Sequence, residues 1–530
     1  MIRANINRKM LPSRAYFYLV LTALLMHSVA RAQEELPVLW GASLDDEKGS
    51  DIVSVFGHGE ASFLVLRDTR RKRDGFILER ISTDSLERIK SVKILFPEVA
   101  KNTVPTLIYP VSFADRSFLI TEAREPNSPE VKIYAFEVYE DLSLNKNPAV
   151  IGAGNAAAWR KDKGFSIFLN EEKTLASVII PQEIDSEKNE KFKLLLLDSK
   201  FNTIRSKNLE IPYASGNFGY ADALVDSSRS IYILASMERE DIENPRDDRN
   251  LGKDFSLFRY TWETEQLTEK SLSIGTKWLY DVRLLLNKSG NLQAAGYFSN
   301  MIDLIMAGTF SLEIDRKTGE IENQGITTFS REFRENFRPG SQRSSVTELG
   351  KFNLDFVHPF PGKIVHLLSE KNFVETSTVF NPATGTYSVI SIYSYNEILV
   401  SGITPSSKVA YNLVIPKFQS SNRSRSSYTS FTSFNTQNTS VLLYNDNKRN
   451  LELPLTSDDG YRQLNSANNT AITVVLIDVK GNASKRVVAP PEGEDGDLIL
   501  DPRFVYRYGN KAVFITTNSY RTRYFKILAD

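Results

Sequence analysis

The chain has 530 residues, 65 Lys+Arg against 65 Asp+Glu, 41% hydrophobic side chains and no cysteine. Disulfides, thiolate metal sites and cysteine nucleophiles are therefore excluded, and the even charge balance gives no electrostatic footprint for nucleic acid. A chain of this length normally divides into domains unless it forms a closed repeat structure.

The first residues read as a signal peptide. Arg3, Arg8, Lys9 and Arg14 precede an apolar run at residues 15–26, and Ala30-Arg31-Ala32 supplies the small residues of a cleavage site before Gln33. The run is too short to span a bilayer, which takes about 20 apolar residues, and no later stretch is long or apolar enough. Residues 1–32 carry five basic and no acidic side chains, so residues 33–530 hold 60 Lys+Arg against 65 Asp+Glu, a balance of −5. The expectation is an exported protein, periplasmic or at the cell surface. Without a cysteine it has no lipid-on-cysteine anchor. Three histidines remain: His58, His358 and His366.

Residues 280–329 read as an antiparallel meander of four strands. Asn287-Lys288-Ser289-Gly290 and Arg316-Lys317-Thr318-Gly319 are turns ending in a glycine free to take positive φ. In the third strand Phe310, Leu312 and Ile314 alternate with Ser311, Glu313 and Asp315, the period of a sheet with one buried face. The second strand of this template recurs as apolar runs at Phe63, Phe118, Leu175, Ile231, Leu292, Ile364, Val441 and Val513, in steps of 55, 57, 56, 61, 72, 77 and 72 residues. Partner strands follow at residues 76–81, 131–139, 192–197 and 472–477, and more polar fourth strands at residues 88–95 and 484–488. Such units with hardly any helix predict an all-β fold, a single β-propeller of four-stranded antiparallel blades. The last unit holds three strands, and Leu36-Pro37-Val38-Leu39-Trp40 is the spare strand that would close the ring. The count favours eight blades; irregular stretches at residues 299–305 and 373–387 leave seven as the alternative. Ser330 caps a helix of about two turns through Phe333 and Phe337, stopped by Pro339-Gly340 and set as a lid over a gap between blades. Residues 419–440, dense in Ser, Thr, Asn and Arg, form a loop or a weakly apolar strand pair, ordered by Tyr428, Phe431 and Phe434.

Few motifs carry chemistry. Gly152-Ala153-Gly154-Asn155-Ala156-Ala157-Ala158 fits G-x-G-x-x-A on paper, but a charged turn follows where a dinucleotide site needs a helix, so an inter-blade linker is the better reading. Glu492, Glu494, Asp495 and Asp497 have a composition that suits calcium without its loop spacing; a solvated turn is preferred and no cofactor is expected. The loop from Asp45 and Asp46 to Asp51 is read likewise. Arg70-Arg71-Lys72-Arg73 is a charged hairpin tip that keeps an outer edge soluble, in preference to a site for an acidic glycan or lipid headgroup. No G-x-S-x-G elbow, H-E-x-x-H helix or closely spaced histidine pair occurs. His58, between glycines, is the histidine expected to be accessible, and His366 is a core residue. No catalytic, ligand-binding or metal residue is assigned.

Ala295-Gly296-Tyr297-Phe298-Ser299, Ala307-Gly308-Thr309-Phe310, Tyr393-Ser394-Tyr395-Asn396-Glu397 and Ile415-Pro416-Lys417-Phe418-Gln419 resemble patterns in uncharacterised exported β-propeller-like proteins of Bacteroidota-type bacteria. The resemblance covers residues 280–480 and implies the propeller and export, and no site. The function expected is a non-enzymatic module, monomeric, binding an envelope protein or a glycan, with no nucleic acid and no membrane span. The alternative is a carbohydrate-active enzyme, a glycoside hydrolase or lyase, with carboxylates at the central channel.

Overall fold

In the computed structural model, residues 36–528 are described apart from 47–49, 70–74, 127, 156–163, 183–184, 239–252, 288, 301–305, 336–348, 350–351, 382–384, 425, 456–459, 492–497 and 519–520. Residues 1–32, expected to be a signal peptide, Arg70 to Arg73 and the acidic run at Glu492, Glu494, Asp495 and Asp497 lie outside the described residues.

The strands form seven antiparallel sheets, and the eight-stranded one is two meanders joined by the single pair Lys253↔Leu279. Resolved this way there are eight four-stranded units, the count favoured over seven. All eight apolar runs found in the sequence are second strands: Ser62–Asp68, Ser117–Ala123, Leu175–Pro181, Ile231–Glu238, Leu292–Ser299, Ile364–Asn381, Thr439–Asn447 and Lys511–Asn518. First strands of neighbouring units touch, Asp51–Phe56 with Thr106–Ser112, Trp278–Leu286 with Phe352–Phe360, and Ile499–Tyr508 back to Asp51–Phe56, so they surround the axis of a β-propeller. At the chain ends Val38–Trp40 lies antiparallel on Arg521–Ile527, with Trp40 opposite Phe525 and the two rings 4.7 Å apart. Phe63 of the first unit stacks on Tyr506 of the last at 5.1 Å.

The one-faced reading of the third strand is corrected. Met306–Ile314 is buried at every position, because each blade packs on a neighbour through both faces. Polar side chains in the alternation meet partners instead of bulk water: Gln293 Nε2 donates to Ser311 Oγ at 2.8 Å, and Asn287 and Asn323 each donate to Glu313 at 2.8 Å. Of the stretch 373–387, read as irregular, residues 373–381 and 386–387 belong to two long paired strands, Ile364–Asn381 with Thr386–Ile403, and residues 382–384 lie outside the described residues. Gly152 to Asn155, read as a linker, is the end of the fourth strand Ala149–Asn155.

The helix is Arg331–Glu335, a little over one turn. Ser330 Oγ accepts the Phe333 N–H at 3.0 Å, and the Phe333 ring lies 5.1 Å from Phe329, against the core shared by the fifth and sixth units. Phe337 and Pro339-Gly340 lie outside the described residues. Among the described residues no helix is long and apolar enough to cross a membrane.

Packing between units is tightest at Gly325, where an added Cβ would lie 1.6 Å from Ser407 O on the sixth unit. Gly325→Ala should therefore cost more than about 2 kcal/mol in urea unfolding. Gly164→Ala, which meets nothing within 4 Å, serves as the control and should stay within about 0.5 kcal/mol of the parent.

Candidate functional site

First strands begin with a one-residue β-bulge in the units starting at Asp51, Thr106, Phe218, Trp278 and Phe352, and with a larger irregularity in the unit starting at Ile499. A bulge re-aims one side chain, and at the axis it places carboxylates. Asp222 Oδ2 accepts the Leu284 N–H at 2.9 Å and Asp281 Oδ2 accepts the Leu354 N–H at 2.6 Å, so each latches its blade to the next. Asp281 sits in the left-handed region, at φ 45°. Asp355 Oδ2 accepts the Glu370 N–H at 3.1 Å within its own blade. Burial raises the pKa of Asp222 and of Asp281, and burial together with the neighbouring Glu370 pushes Asp355 up to about 8. Asp355 nevertheless keeps a water-accessible surface. The signal was in the sequence: Tyr280-Asp281, Leu354-Asp355 and Leu500-Asp501 repeat a large apolar residue followed by Asp at the same place in the unit.

Behind Asp355 an ionic core joins the sixth and seventh units. Lys417 is fully buried; its Nζ lies 2.8 Å from Glu370 Oε1 and donates to Tyr395 O at 2.8 Å and Gln419 Oε1 at 3.0 Å. Burial pulls the Lys417 pKa down, while Glu370 opposes the shift. Gln419 Nε2 donates to Asn445 O at 2.7 Å. The buried Asn445 side chain acts as a strand would: its Nδ2 donates to Leu500 O at 2.7 Å and to Tyr428 O at 3.1 Å, and its Oδ1 accepts the Leu500 N–H at 2.9 Å. This chain of bonds fixes both Tyr428 and the backbone next to Asp501.

Those two residues are walls of a cavity of about 710 Å³ where the first and last blades meet, roofed by residues 421–424 and 426–428. Four of its charged side chains form two ion pairs. Asp501 holds Arg503 with two bonds, Nε to Oδ1 at 2.7 Å and Nη2 to Oδ2 at 2.5 Å, and the guanidinium carbon sits 5.0 Å from the centre of the Phe504 ring. Arg67 Nη2 lies 3.0 Å from Asp46 Oδ1 and its Nε donates to Glu79 at 2.8 Å. Burial works against the charge on Arg67, and Tyr524, Glu79 and Asp46 outweigh it. The roof adds Ser421, Asn422, Ser424, Ser426, Ser427 and Tyr428, whose hydroxyl lies 2.8 Å from Ser420 O and 3.1 Å from Asn465 O. The polar run of the sequence analysis thus splits into Gln419–Ser421, this roof and the strand Phe431–Asn435.

The two later histidines, eight residues apart in sequence, come together. His358 pairs with His366 across antiparallel strands, and Ser440 Oγ lies 2.9 Å from Nδ1 of the first and 2.8 Å from Nδ1 of the second. One proton order satisfies every member. Ser433 Oγ–H donates to His358 Nε2, His358 Nδ1–H to Ser440, Ser440 Oγ–H to His366 Nδ1, His366 Nε2–H to Tyr411, and the Tyr411 hydroxyl to Asp478 O. Both rings are then neutral, which agrees with burial driving His358 down to about 3 and His366 to about 4. His366 is a core residue, as expected. His58 is half-buried, with Nδ1 3.0 Å from Ser117 Oγ, and burial lowers its pKa. Asp45 pairs with Arg521 at 3.1 Å and Asp46 with Arg67, so both serve ion pairs. Among the described residues no group of three or more His, Asp or Glu is arranged to hold a metal ion.

No protein-family model matches the chain, and comparison with curated proteins gives no match. Among solved structures it is similar to the Dos1 propeller, at 10% identity and TM-score 0.40, over 93% of this chain and 96% of that one. It is similar also to the β-propeller domain of the Trilobed protease from Pyrococcus furiosus, at 10% identity and TM-score 0.33, over 70% of this chain and 93% of that one. BamB from Moraxella catarrhalis aligns at 10% identity and TM-score 0.28, over 81% of this chain and 99% of that one. At this level of overlap these likenesses assign neither site nor activity.

Two outcomes follow from the buried polar groups. Lys417→Met strands Glu370 without its cation and should cost about 3–5 kcal/mol in chemical denaturation, most of which Lys417→Met with Glu370→Leu should restore. The second concerns pH. A histidine whose folded pKa lies below its ordinary 6.5 stabilises fully above that value and loses the contribution as pH falls toward the folded pKa, up to about 2 kcal/mol each by pH 5. Asp355, raised to about 8, and Asp446, raised to about 6, act in the opposite sense as pH falls. Urea denaturation at pH 7 and 5 should show a smaller acid loss for His358→Gln with His366→Gln than for the parent, in which the same carboxyls are present.

Proposed function

We propose that this protein is an exported binding module of the cell envelope, and that its ligand is a glycan segment held in the cavity between the first and last blades. The observation that carries the reading is the lining. Serine hydroxyls, an asparagine and arginines suit a polyhydroxylated ligand, with Tyr428 and Phe504 beside them as ring surfaces. Charge pairing argues against hydrolysis at this place. A glycosidase needs one carboxyl group free to give a proton and a second free to attack or activate water, whereas Asp501 is bound twice by Arg503 and Asp46 lies against Arg67. Export rests on the leader-like residues 1–32 and on the resemblance to exported proteins of Bacteroidota-type bacteria. An envelope protein is the other partner the disc would suit, since propellers gather loops from many blades onto one face.

A second reading is favoured by Asp355. A carboxyl raised to about 8 by burial and by the neighbouring Glu370 is protonated at neutral pH, the state a general acid needs. In that reading the protein cleaves glycans at the axis.

Calorimetry against a panel of neutral and acidic polysaccharides, with released reducing ends assayed on the same samples, separates the two. A bound glycan should lose about tenfold or more in affinity with Arg503→Ala, since a hydrogen bond to a charged group contributes about 1.5–3 kcal/mol, and no reducing ends should appear. Turnover abolished by Asp355→Asn would replace the binding module with the hydrolase.

A further inference from the structure

The sixth unit carries a feature that neither its blade nor the cavity uses. Its second and third strands, Ile364–Asn381 and Thr386–Ile403, are 18 residues each, against 7 to 10 in the other units. Pairing with the adjoining strands stops at Lys371 on one side and Tyr393 on the other. Beyond those points the hairpin continues as a two-stranded arm whose outer edges meet no other strand among the described residues.

The arm is apolar on both faces. Directly opposed residues share a face, so Phe380 with Tyr387 and Thr378 with Val389 lie on one, and Val379, Ile390 and Ile392 on the other. Tyr387 is 73% exposed and Val389 68%, and the arm holds seven of the fifteen large apolar side chains that are exposed among the described residues. Between Phe373 and Ser394 the only charged residue is Glu375. A two-stranded hairpin is at best marginal alone in water, and an open uncharged edge is one that natural proteins normally protect.

Three occupants are conceivable, and the chemistry separates them. Lipid would cover the side chains but leave the edge N–H and C=O groups unpaired in hydrocarbon, at several kcal/mol each. A charged partner protein would find one carboxylate to recognise. A second copy of the chain supplies the missing edge partner and sets apolar side chains of the two arms side by side across the new strand pair. Residues 386–392, Thr-Tyr-Ser-Val-Ile-Ser-Ile, are strong strand formers without charge, so the strand can lie antiparallel beside its own copy across a twofold axis with no like charges opposed.

We propose that the protein is a twofold dimer in which residues 386–392 of two copies pair edge to edge, giving a four-stranded sheet between two propellers. This replaces the monomer that the sequence alone suggested.

The chain has no cysteine, so single replacements report directly. Val389→Cys, at the middle of the paired segment and so opposite its own copy, should give a disulfide-linked dimer under mild oxidation, because directly opposed residues at a twofold lie within disulfide reach; Lys146→Cys, exposed on another blade, should not. Light scattering should give twice the monomer mass for the parent. Val389→Lys with Ile390→Lys should weaken the dimer tenfold or more, with circular dichroism unchanged. A parent that stays monomeric to about 100 μM, or crosslinking no greater than at position 146, would overturn the proposal. So would a monomer that binds phosphatidylcholine vesicles through the arm.

Discussion

A four-stranded sheet covered on both faces cannot stand alone, and that constraint organises the whole molecule. The middle strands are mostly buried, Met306–Ile314 at every position, so each blade must lie between two others and the array must curve until its ends meet. The apolar clusters follow the joints between blades: residues near Phe63 pack with Tyr506 and Tyr524 across the chain ends, just as those near Phe192 pack with Phe218 between consecutive units.

The joints also carry the polar chemistry. A buried group between two blades must be paired there, because water does not reach it. Asp281 holds the amide of Leu354, Asn445 holds both backbone groups of Leu500, and Ser440 bridges two histidines. Each bond spans two units, so stability and blade register come from the same contacts. The cavity is a joint of a different kind: the first and last blades are brought together by the return of the chain, and the roof at residues 421–424 and 426–428 covers the space between them.

How much was legible depended on the range of the interaction. Runs such as Ser62–Asp68 and Lys511–Asn518 announced themselves, because a strand buried on both faces is apolar almost throughout and its neighbours in the meander are a turn away. Ser311 and Glu313 misled, since polarity on alternate positions normally marks a wet face and here marks a bonded one. The hairpin arm was hidden by its own composition: Thr, Ser and Asn between Phe373 and Tyr387 look like loop chemistry until a partner strand supplies the hydrogen bonds. The aspartates at the bulges formed a readable repeat, but one residue per unit is a faint signal beside an apolar run.

By itself the sequence determined an all-β chain of repeating meanders, eight favoured over seven, with the spare strand at Leu36 to Trp40 available to the last unit, because strand, turn and repeat spacing are encoded locally. Only the tertiary structure decided what faces what. His358 meets His366 through strand register, Lys417 meets Glu370 within one blade, and Arg67 and Arg503 share one cavity although 436 positions separate them. The first two depend on how strands register within a blade, and the last on the return of the last blade to the first, which no local stretch of sequence contains.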